Sequence, residues 1–361
     1  MKIDFILSNN YNIPVGGYRI VYEYANMLAE SGDDVTITFM IYDRVPLRRG
    51  YIIRSLLSKI KRTIFFKLGI IYTSKKTVTW FKLNNKIKLN FALPRDSYFP
   101  DCDIAVATAW GTAYTLSKLN QNKGKKFYFI QHDERVFAPD GFVRPTWKLA
   151  LKKIVIASWL KELLQNEVGQ SSILVKNFVD LDHFYLTVPL VERNRIVSML
   201  YHKNPSKGSA DGIEALKKVH SVFPDMKVKM FGTPEEPDNL PNYFEYTHNA
   251  KTKELRNIYN QSSIYVLPSH LEGWGLTATE AMACGAALIS TKNGGVNDFG
   301  LENETALLSA PNDIDHLAKN IIFLLQNDSE RRRIAANGME LVHSLTKNNS
   351  FNKFKDVLHE Q

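Results

Sequence analysis

The sequence predicts an α/β protein made of two doubly wound, Rossmann-like domains. Strand-like runs of β-branched and aromatic residues alternate with helix-like segments in two successive sets, the pattern of parallel sheets covered by helices. The chain has 361 residues, which is long for one domain. Its 44% apolar and 23% charged residues are a globular composition that can build a core in each half.

The first set opens with a βαβ pattern, strand 2–7, helix 18–31 and strand 34–41. Gly16 and Gly17 precede the helix, where a glycine turn lets a phosphate or sugar approach the backbone. An ordinary tight turn is the alternative. Later strands are expected at 77–83, 88–92, 103–107, 126–130 and 153–157, with helices near 112–120 and 158–168.

One segment makes the protein basic. Of the 46 Lys and Arg, 14 lie between Arg44 and Arg95, where there is no Asp or Glu, and the other 32 are outnumbered by 37 acidic residues. Residues 46–68 can form a helix with an apolar stripe on one side and basic residues largely opposite. Such a helix suits an anionic membrane surface, so residues 44–76 are predicted to bind one. The alternative is a helix that packs on its own domain.

The histidine at the end of one predicted strand is a candidate for chemistry. His132 directly follows the strand-like run that ends at Ile130. Ligands of open parallel sheets bind outside the carboxyl ends of the strands. Taken alone, a histidine in this position is more often a structural hydrogen-bonding group.

The second set follows a connector near residues 177–190. Strands are expected at 195–200, 227–231, 263–267 and 286–290, and helices at 209–222, 251–260, 277–284 and 313–326, with a last helix over 348–361. The predicted domains are therefore residues 1–178 and 179–345, followed by a C-terminal helix within 346–361.

A glycine-rich loop after strand 263–267 is the strongest local signal for a ligand site. It contains Glu272 and leads into a helix that carries Glu280. The first N–H groups of a helix have no partners within it, so they can bind a diphosphate. Both carboxylates could border the same pocket and accept hydroxyl hydrogens of a sugar and a ribose. The alternative is an ordinary crossover with two solvated glutamates.

The same stretch resembles the signature of a known enzyme family. Residues 272–285 read Glu-Gly-Trp-Gly-Leu-x-x-x-Glu-Ala-Met-Ala-x-Gly, which resembles the signature of the family 4 glycosyltransferases. Residues 177–184 and 293–296 are similar to the family's interdomain connector and next donor-side loop. The resemblance implies the GT-B fold, in which two domains face each other across a cleft and the C-terminal helix packs back on the first. It also implies retaining transfer from a nucleotide sugar.

The resemblance also implies roles for individual residues. Glu272 and His132 would act on the donor sugar, Glu280 on the ribose, and Lys207 on the diphosphate. His202 stands where the family has an arginine, so either the diphosphate protonates it or Lys203 supplies part of the charge. The candidate catalytic residues are Glu272 and His132, and the candidate donor-binding residues are Gly16, Gly17, His202, Lys207, Gly208, Gly273, Trp274, Gly275, Leu276, Thr277 and Glu280.

The expected function is transfer of a hexose or deoxyhexose to a glycan or lipid-linked acceptor in cell-surface polysaccharide synthesis. The sequence has no motif of serine hydrolases, zinc enzymes or P-loop ATPases. No cofactor, metal or nucleic-acid partner is expected. Two distant cysteines and an N-terminus without a signal peptide indicate the cytoplasm, with attachment to the inner membrane face. A GT-B epimerase or phosphorylase and a non-catalytic basic binding protein are the alternatives.

Overall fold

The computed structural model of the protein describes residues 1–43, 52–69 and 76–360, with the side chains of 52–54 left out. Within these residues the chain divides into two compact units. The first unit comprises Met1–Ile156, Leu160–Val175 and Phe351–Gln361, and the second comprises Ala157–Trp159 and Lys176–Ser350.

The first unit contains a seven-stranded parallel sheet in the order β3-β2-β1-β4-β5-β6-β7. Its strands are β1 Lys2–Leu7, β2 Asp34–Met40, β3 Lys88–Ala92, β4 Ile104–Ala107, β5 Lys125–Ile130, β6 Lys152–Val155 and β7 Ile173–Leu174. Its helices are α1 Gly16–Glu30, α2 Ile52–Lys67, α3 Trp110–Leu116, α4 Asp140–Val143 and most of α5 Ser158–Val168. The strand order reverses between β1 and β4, and open sheets of this kind bind ligands at such a point.

The second unit contains a six-stranded parallel sheet in the order β10-β9-β8-β11-β12-β13. Its strands are β8 Ile196–Leu200, β9 Lys227–Gly232, β10 Phe244–His248, β11 Ile264–Leu267, β12 Ala287–Thr291 and β13 Ala306–Ser309. Its helices are α6 Ser209–Val222, α7 Thr252–Gln261, α8 Leu276–Ala283, α9 Ile314–Gln326, α10 Asp328–His343 and the start of α11 Lys347–His359. Two parallel α/β units confirm the predicted fold class, and the second strand order reverses between β8 and β11.

The end of α11 packs in the first unit through aromatic rings. Phe354 stacks on Tyr24 of α1 with ring centroids 4.2 Å apart, and it also lies against Phe5 and Phe129 of the sheet. All four rings are fully buried. Burying aromatic side chains gives large hydrophobic stabilisation, so α11 is part of the first unit's core.

The strand predicted at residues 77–83 is wrong, because this segment is irregular. Its backbone pairs with asparagine side chains instead of a neighbouring strand: Thr79 N–H donates to Asn12 Oδ1, and the Lys82 carbonyl accepts from Asn26 Nδ2. The rings of Trp80 and Phe81 pack on Tyr22 of α1. This run of aromatic and β-branched residues therefore packs its rings beside α1 and does not form a strand.

Asp4 is a carboxyl group inside the first sheet and links stability to pH. It lies buried on β1, and its Oδ1 accepts a 2.7 Å hydrogen bond from Thr38 Oγ1. Burial raises the pKa of Asp4 from 3.8 to about 7, against smaller opposing effects of Thr38 and Lys123. In the unfolded chain Asp4 ionises near pH 3.8, whereas in the folded protein it stays protonated up to about pH 7. The contribution of Asp4 to the free energy of unfolding is therefore complete below pH 3.8 and is lost as the pH rises from there through about 7.

The Asp4→Asn variant is therefore expected to gain stability relative to the wild type as the pH rises. Its amide keeps the size of the side chain and cannot ionise. The free energy of unfolding of the variant, minus that of the wild type, should increase by about 1.4 kcal/mol per pH unit between pH 4 and 7. Urea unfolding at pH 5, 6, 7 and 8 measures this, with the exposed Asp182→Asn as control. A difference independent of pH would contradict the account.

Candidate functional site

The loop that connects β11 to α8 holds Glu272 in a fixed position. Glu272 is only 7% exposed, and its N–H donates to the Asn293 carbonyl at 2.9 Å. Its Oε1 accepts a 2.8 Å hydrogen bond from Ser269 Oγ, whose residue is itself buried. Lys207 Nζ lies 2.9 Å from Oε1 and 2.8 Å from Oε2. The carboxylate is thus placed by two side chains, one of which is a cation, and the backbone of Glu272 is held by Asn293.

The start of α8 offers backbone donors beside this carboxylate. The helix begins at Leu276 after Gly275, whose φ is +105°, and no described side chain caps its N-terminus. Leu276 and Thr277, the first two residues of the helix, are partly exposed. Because a helix N-terminus combines unpaired N–H groups with the positive end of the helix dipole, it attracts an anion such as a diphosphate.

The loop after β8 brings Lys207 to Glu272. The loops after β8 and β11 meet at the point where the strand order reverses, which is the usual ligand position of an open α/β sheet. Gly208 has φ +59°, and a Cβ there would lie 2.0 Å from the Pro268 carbonyl oxygen. Only glycine therefore allows this approach of the two loops. His270 Nε2 also contacts Asp211 Oδ2 at 2.7 Å, which ties the loop after β11 to α6.

Glu280 and Trp274 are buried, whereas the predicted donor-binding residues His202, Lys207, Leu276 and Thr277 are partly exposed. Glu280 is buried in α8, and its Oε2 accepts a 3.4 Å hydrogen bond from Tyr259 Oη. The ring of Trp274 is buried against Phe299, with centroids 5.5 Å apart. The Trp274 ring thus points into the core of the second unit, and its neighbours in the sequence are Gly273 and Gly275.

A tryptophan that the sequence reasoning missed supports the same loop. Trp159 groups with the second unit, and its Nε1 donates a 3.0 Å hydrogen bond to the Gly273 carbonyl. A Cβ on Gly294, whose φ is +82°, would come within 3.0–3.3 Å of the Trp159 ring. Glycine at 294 thus lets the ring lie against the loop that follows β12. No local pattern around residue 159 distinguishes this tryptophan from one that packs a helix.

The other predicted site residues form a separate group in the first unit. Gly16 and Gly17 begin α1, and the Gly17 carbonyl accepts a 3.1 Å hydrogen bond from Gln131 Nε2 at the end of β5. The adjacent His132 places Nδ1 3.0 Å from the Asp133 carbonyl, and its ring lies 5.4 Å from that of Phe137. The structure therefore brings the glycine turn and His132 to neighbouring positions at the carboxyl end of the first sheet.

Two carboxyl groups with raised pKa values lie at the same end of the first sheet. Glu134 accepts hydrogen bonds from the Trp110 amide at 3.0 Å and from Tyr128 Oη, and burial raises its pKa to about 7. Burial also raises the pKa of Asp43 to about 6, although Ser8 and the cations Arg62 and Lys59 oppose the shift. Sequence reasoning missed both groups, because their burial depends on contacts between distant loops.

The basic segment forms a helix with exposed apolar residues. The described part of the predicted helix 46–68 is α2, Ile52–Lys67, while residues 44–51 and 70–75 lie outside the described ranges. The exposed apolar side chains are Leu56, Leu57, Ile60, Ile64 and Leu68. Arg62 of α2 donates a 3.2 Å hydrogen bond to the carbonyl of Ile41, the residue that follows β2. Much of the apolar stripe of α2 is therefore not packed on its own domain.

Within the described ranges, no three His, Cys, Asp or Glu residues are grouped in a way that could hold a metal ion. No helix in that part of the chain is both long and apolar enough to cross a bilayer.

Solved structures show which fold the two units have. The chain is similar to sucrose-phosphate synthase from Thermosynechococcus elongatus, with 17% identity, a TM-score of 0.72 and coverage of 99% of this chain and 98% of that one. It is also similar to Anabaena Alr3699/HepE in complex with UDP-glucose, with 13% identity, a TM-score of 0.73 and full coverage of both chains. The two units therefore have the GT-B fold of glycosyltransferases.

The sequence comparison gives a narrower assignment for the second unit. Residues 188–341 match the family "Glycosyl transferases group 1". The phosphatidyl-myo-inositol mannosyltransferase of Mycolicibacterium smegmatis is 23% identical over 216 residues, 56% of this chain and 55% of that protein. The capsular polysaccharide biosynthesis glycosyltransferase CapM of Staphylococcus aureus is 24% identical over 245 residues, 63% of each. The chain spans about half the length of the first curated relatives that it matches.

Proposed function

We propose that the protein is a retaining family 4 glycosyltransferase that moves a hexose or deoxyhexose from a nucleotide sugar to a glycan or lipid-linked acceptor in cell-surface polysaccharide synthesis. The Lys207–Glu272 pair beside the uncapped start of α8 is the observation that carries this proposal. It joins a cation, helix amides and a buried carboxylate at the switch point of the second sheet. These are the groups needed to hold a diphosphate and the sugar attached to it.

The proposed chemistry relies on positioning and on charge. The diphosphate binds Lys207 and the amides of Leu276 and Thr277, which neutralise negative charge as the nucleotide leaves. Glu272 orients the sugar hydroxyls and stabilises positive charge that develops at the anomeric carbon. Glu280 binds the ribose, and His132 contacts the donor sugar. In a retaining transfer, the leaving phosphate accepts the proton of the acceptor hydroxyl, so no metal or cofactor is needed.

A panel of nucleotide sugars tests this function. Each of UDP-glucose, UDP-galactose, GDP-mannose and dTDP-rhamnose is added to the protein, and the thermal midpoint is measured. A specific donor raises the midpoint, because a ligand that binds only the folded state stabilises it by mass action. That donor should then release its nucleoside diphosphate and form a glycoside only when an acceptor is present. An altered sugar nucleotide formed without acceptor would overturn the transferase proposal, and so would a midpoint unchanged by every compound.

The proposed acceptor lies at the inner surface of a membrane, where α2 holds the protein. The exposed apolar stripe of α2 and the cations Lys59, Lys61 and Arg62 support this part of the proposal. Two relatives act in lipid glycosylation and capsular polysaccharide synthesis according to their names. Because the basic segment contains no acidic residue, anionic lipids are the expected partner, and the protein is expected to be peripheral on the cytoplasmic face.

Vesicle flotation measures this membrane contact. The wild type should bind vesicles that contain phosphatidylglycerol and should bind pure phosphatidylcholine weakly. The variant Leu57→Ser/Ile60→Ser removes two side chains that are 61% and 54% exposed, so it should bind at least about tenfold more weakly. Val191→Ser is the matched control, because Val191 is 72% exposed in the second unit. Unchanged binding of the double variant, or equal binding of both lipids, would rule out this role of α2.

A further inference from the structure

His202 makes two hydrogen bonds in the loop after β8, one through its backbone and one through its ring. Its backbone N–H donates to Ser209 Oγ at 2.9 Å. Its ring Nδ1 lies 2.9 Å from the backbone N–H of Asn204, which can only donate. An N–H group makes a hydrogen bond only with an unprotonated ring nitrogen, so the proton of the neutral ring is on Nε2.

The Nε2 side of the ring is the one available to a ligand. His202 is only partly buried, and Nε2 has no hydrogen-bond partner in the part of the chain that the structure describes. The charged groups that act on the ring are Lys207 from its own loop and Glu272 from the loop after β11. His202 thus presents an N–H donor next to the Lys207–Glu272 pair.

Protonation of His202 is disfavoured by its surroundings. Burial lowers the pKa of His202 below its ordinary value of 6.5, and Lys207 lowers it further, while Glu272 opposes the shift. A proton on Nδ1 would also displace the hydrogen bond from Asn204. An imidazolium at neutral pH would therefore have to overcome burial, a neighbouring cation and the loss of a hydrogen bond.

We propose that His202 binds the donor diphosphate as a neutral Nε2–H donor, held in that tautomer by the Asn204 amide. This inference depends on the proposed function for the diphosphate itself. The loop after β8 then supplies one full positive charge, from Lys207, and one uncharged hydrogen bond. Lys203, whose side chain is exposed, has no part in binding. Nucleotide binding at pH 8 consequently takes up no proton on His202.

Nitrogen-15 NMR of the ligand-free protein tests the tautomer directly. Long-range proton–nitrogen correlations at pH 7 and 8 should show a protonated Nε2 and an unprotonated Nδ1 for His202. The signals are assigned by their loss in His202→Gln. A proton on Nδ1, or on both nitrogens, would overturn the proposal without affecting the proposed transferase function.

Calorimetry tests whether the neutral donor contacts the diphosphate. UDP, GDP and dTDP are titrated at pH 8 in two buffers of different ionisation enthalpy, and the tightest ligand is used throughout. His202→Gln retains a donor and an acceptor but cannot be protonated, so it should bind within about threefold of the wild type, with equal proton uptake. His202→Ala should bind about 10- to 100-fold more weakly, because a hydrogen bond to a charged group is lost. Lys203→Ala should bind like the wild type.

Several outcomes would overturn the role of His202. Uptake of nearly one more proton by the wild type than by His202→Gln would show that the diphosphate protonates the ring. Weaker binding by Lys203→Ala together with full binding by His202→Ala would assign the contact to Lys203. Full binding and transfer by His202→Ala would remove His202 alone from the site. If the wild type bound none of the three nucleotides, both the proposed function and the role of His202 would fail.

Discussion

Glu272→Gln is expected to lower kcat by about 10²–10³-fold, the loss typical of one electrostatic contact to a transition state. The amide keeps the shape of the side chain but removes the negative charge proposed to face the anomeric carbon. Affinity for the nucleoside diphosphate should stay at the wild-type level or increase, because Lys207 loses its carboxylate partner. Measurement of kcat for transfer and of Kd for the nucleotide separates the two effects.

The matched control for this variant is Glu235→Gln, which removes a carboxylate that is 84% exposed in the same unit. It should change neither kcat nor Kd. Glu280→Ala gives the opposite pattern, since loss of the ribose contact should mainly raise KM. Wild-type turnover by Glu272→Gln would remove the role assigned to this carboxylate. Loss of nucleotide binding by the same variant would contradict the assignment of the diphosphate to Lys207 and the amides of α8.

Lys207→Met is expected to weaken nucleoside diphosphate binding about 10- to 100-fold and to destabilise the protein. The first effect follows from loss of a charge-assisted contact to phosphate. The second arises because Glu272 remains buried with Ser269 as its remaining side-chain donor among the described residues. Because Lys207 itself is partly exposed, we expect a loss of about 1–3 kcal/mol in the free energy of unfolding, below the range for a fully buried pair.

A double-mutant cycle measures the stability effect of Lys207. Adding Glu272→Gln to Lys207→Met removes the unpaired charge, so the double variant should be more stable than Lys207→Met alone. Lys217→Met serves as control. The ion pair of Lys217 with Glu214 is exposed, so it should contribute less than about 1 kcal/mol to the free energy of unfolding. Additive effects of the two substitutions would show that the Lys207–Glu272 contact does not stabilise the second unit.

The periodicity of the sequence predicted most of the fold. Runs such as Ile264–Leu267 are short, apolar and β-branched, so they identified buried parallel strands within one or two residues. The prediction failed at 77–83, because asparagine side chains from elsewhere bind that backbone. It also did not include α10, Asp328–His343, whose amphipathic pattern is weakened by many charged residues.

The candidate site could be predicted where one continuous stretch determines it. Gly273, Gly275 and Glu272 occupy a single strand–loop–helix junction, so their spacing indicates an anion site. Contacts between distant segments left no such signal. Arg193, for example, is buried and donates to the Ser262 carbonyl at 2.7 Å and to the Cys284 carbonyl just after α8. Its partners are backbone atoms, which no residue pattern reveals.

A crystal structure with the bound nucleoside diphosphate tests the central claim most directly. The claim is that the diphosphate binds at the N-terminus of α8, next to Lys207 and the buried carboxylate of Glu272. The expected result places phosphate oxygens within about 3 Å of Lys207 Nζ and of the Leu276 or Thr277 amide. A diphosphate bound elsewhere, with the Lys207–Glu272 pair and the start of α8 untouched, would contradict it.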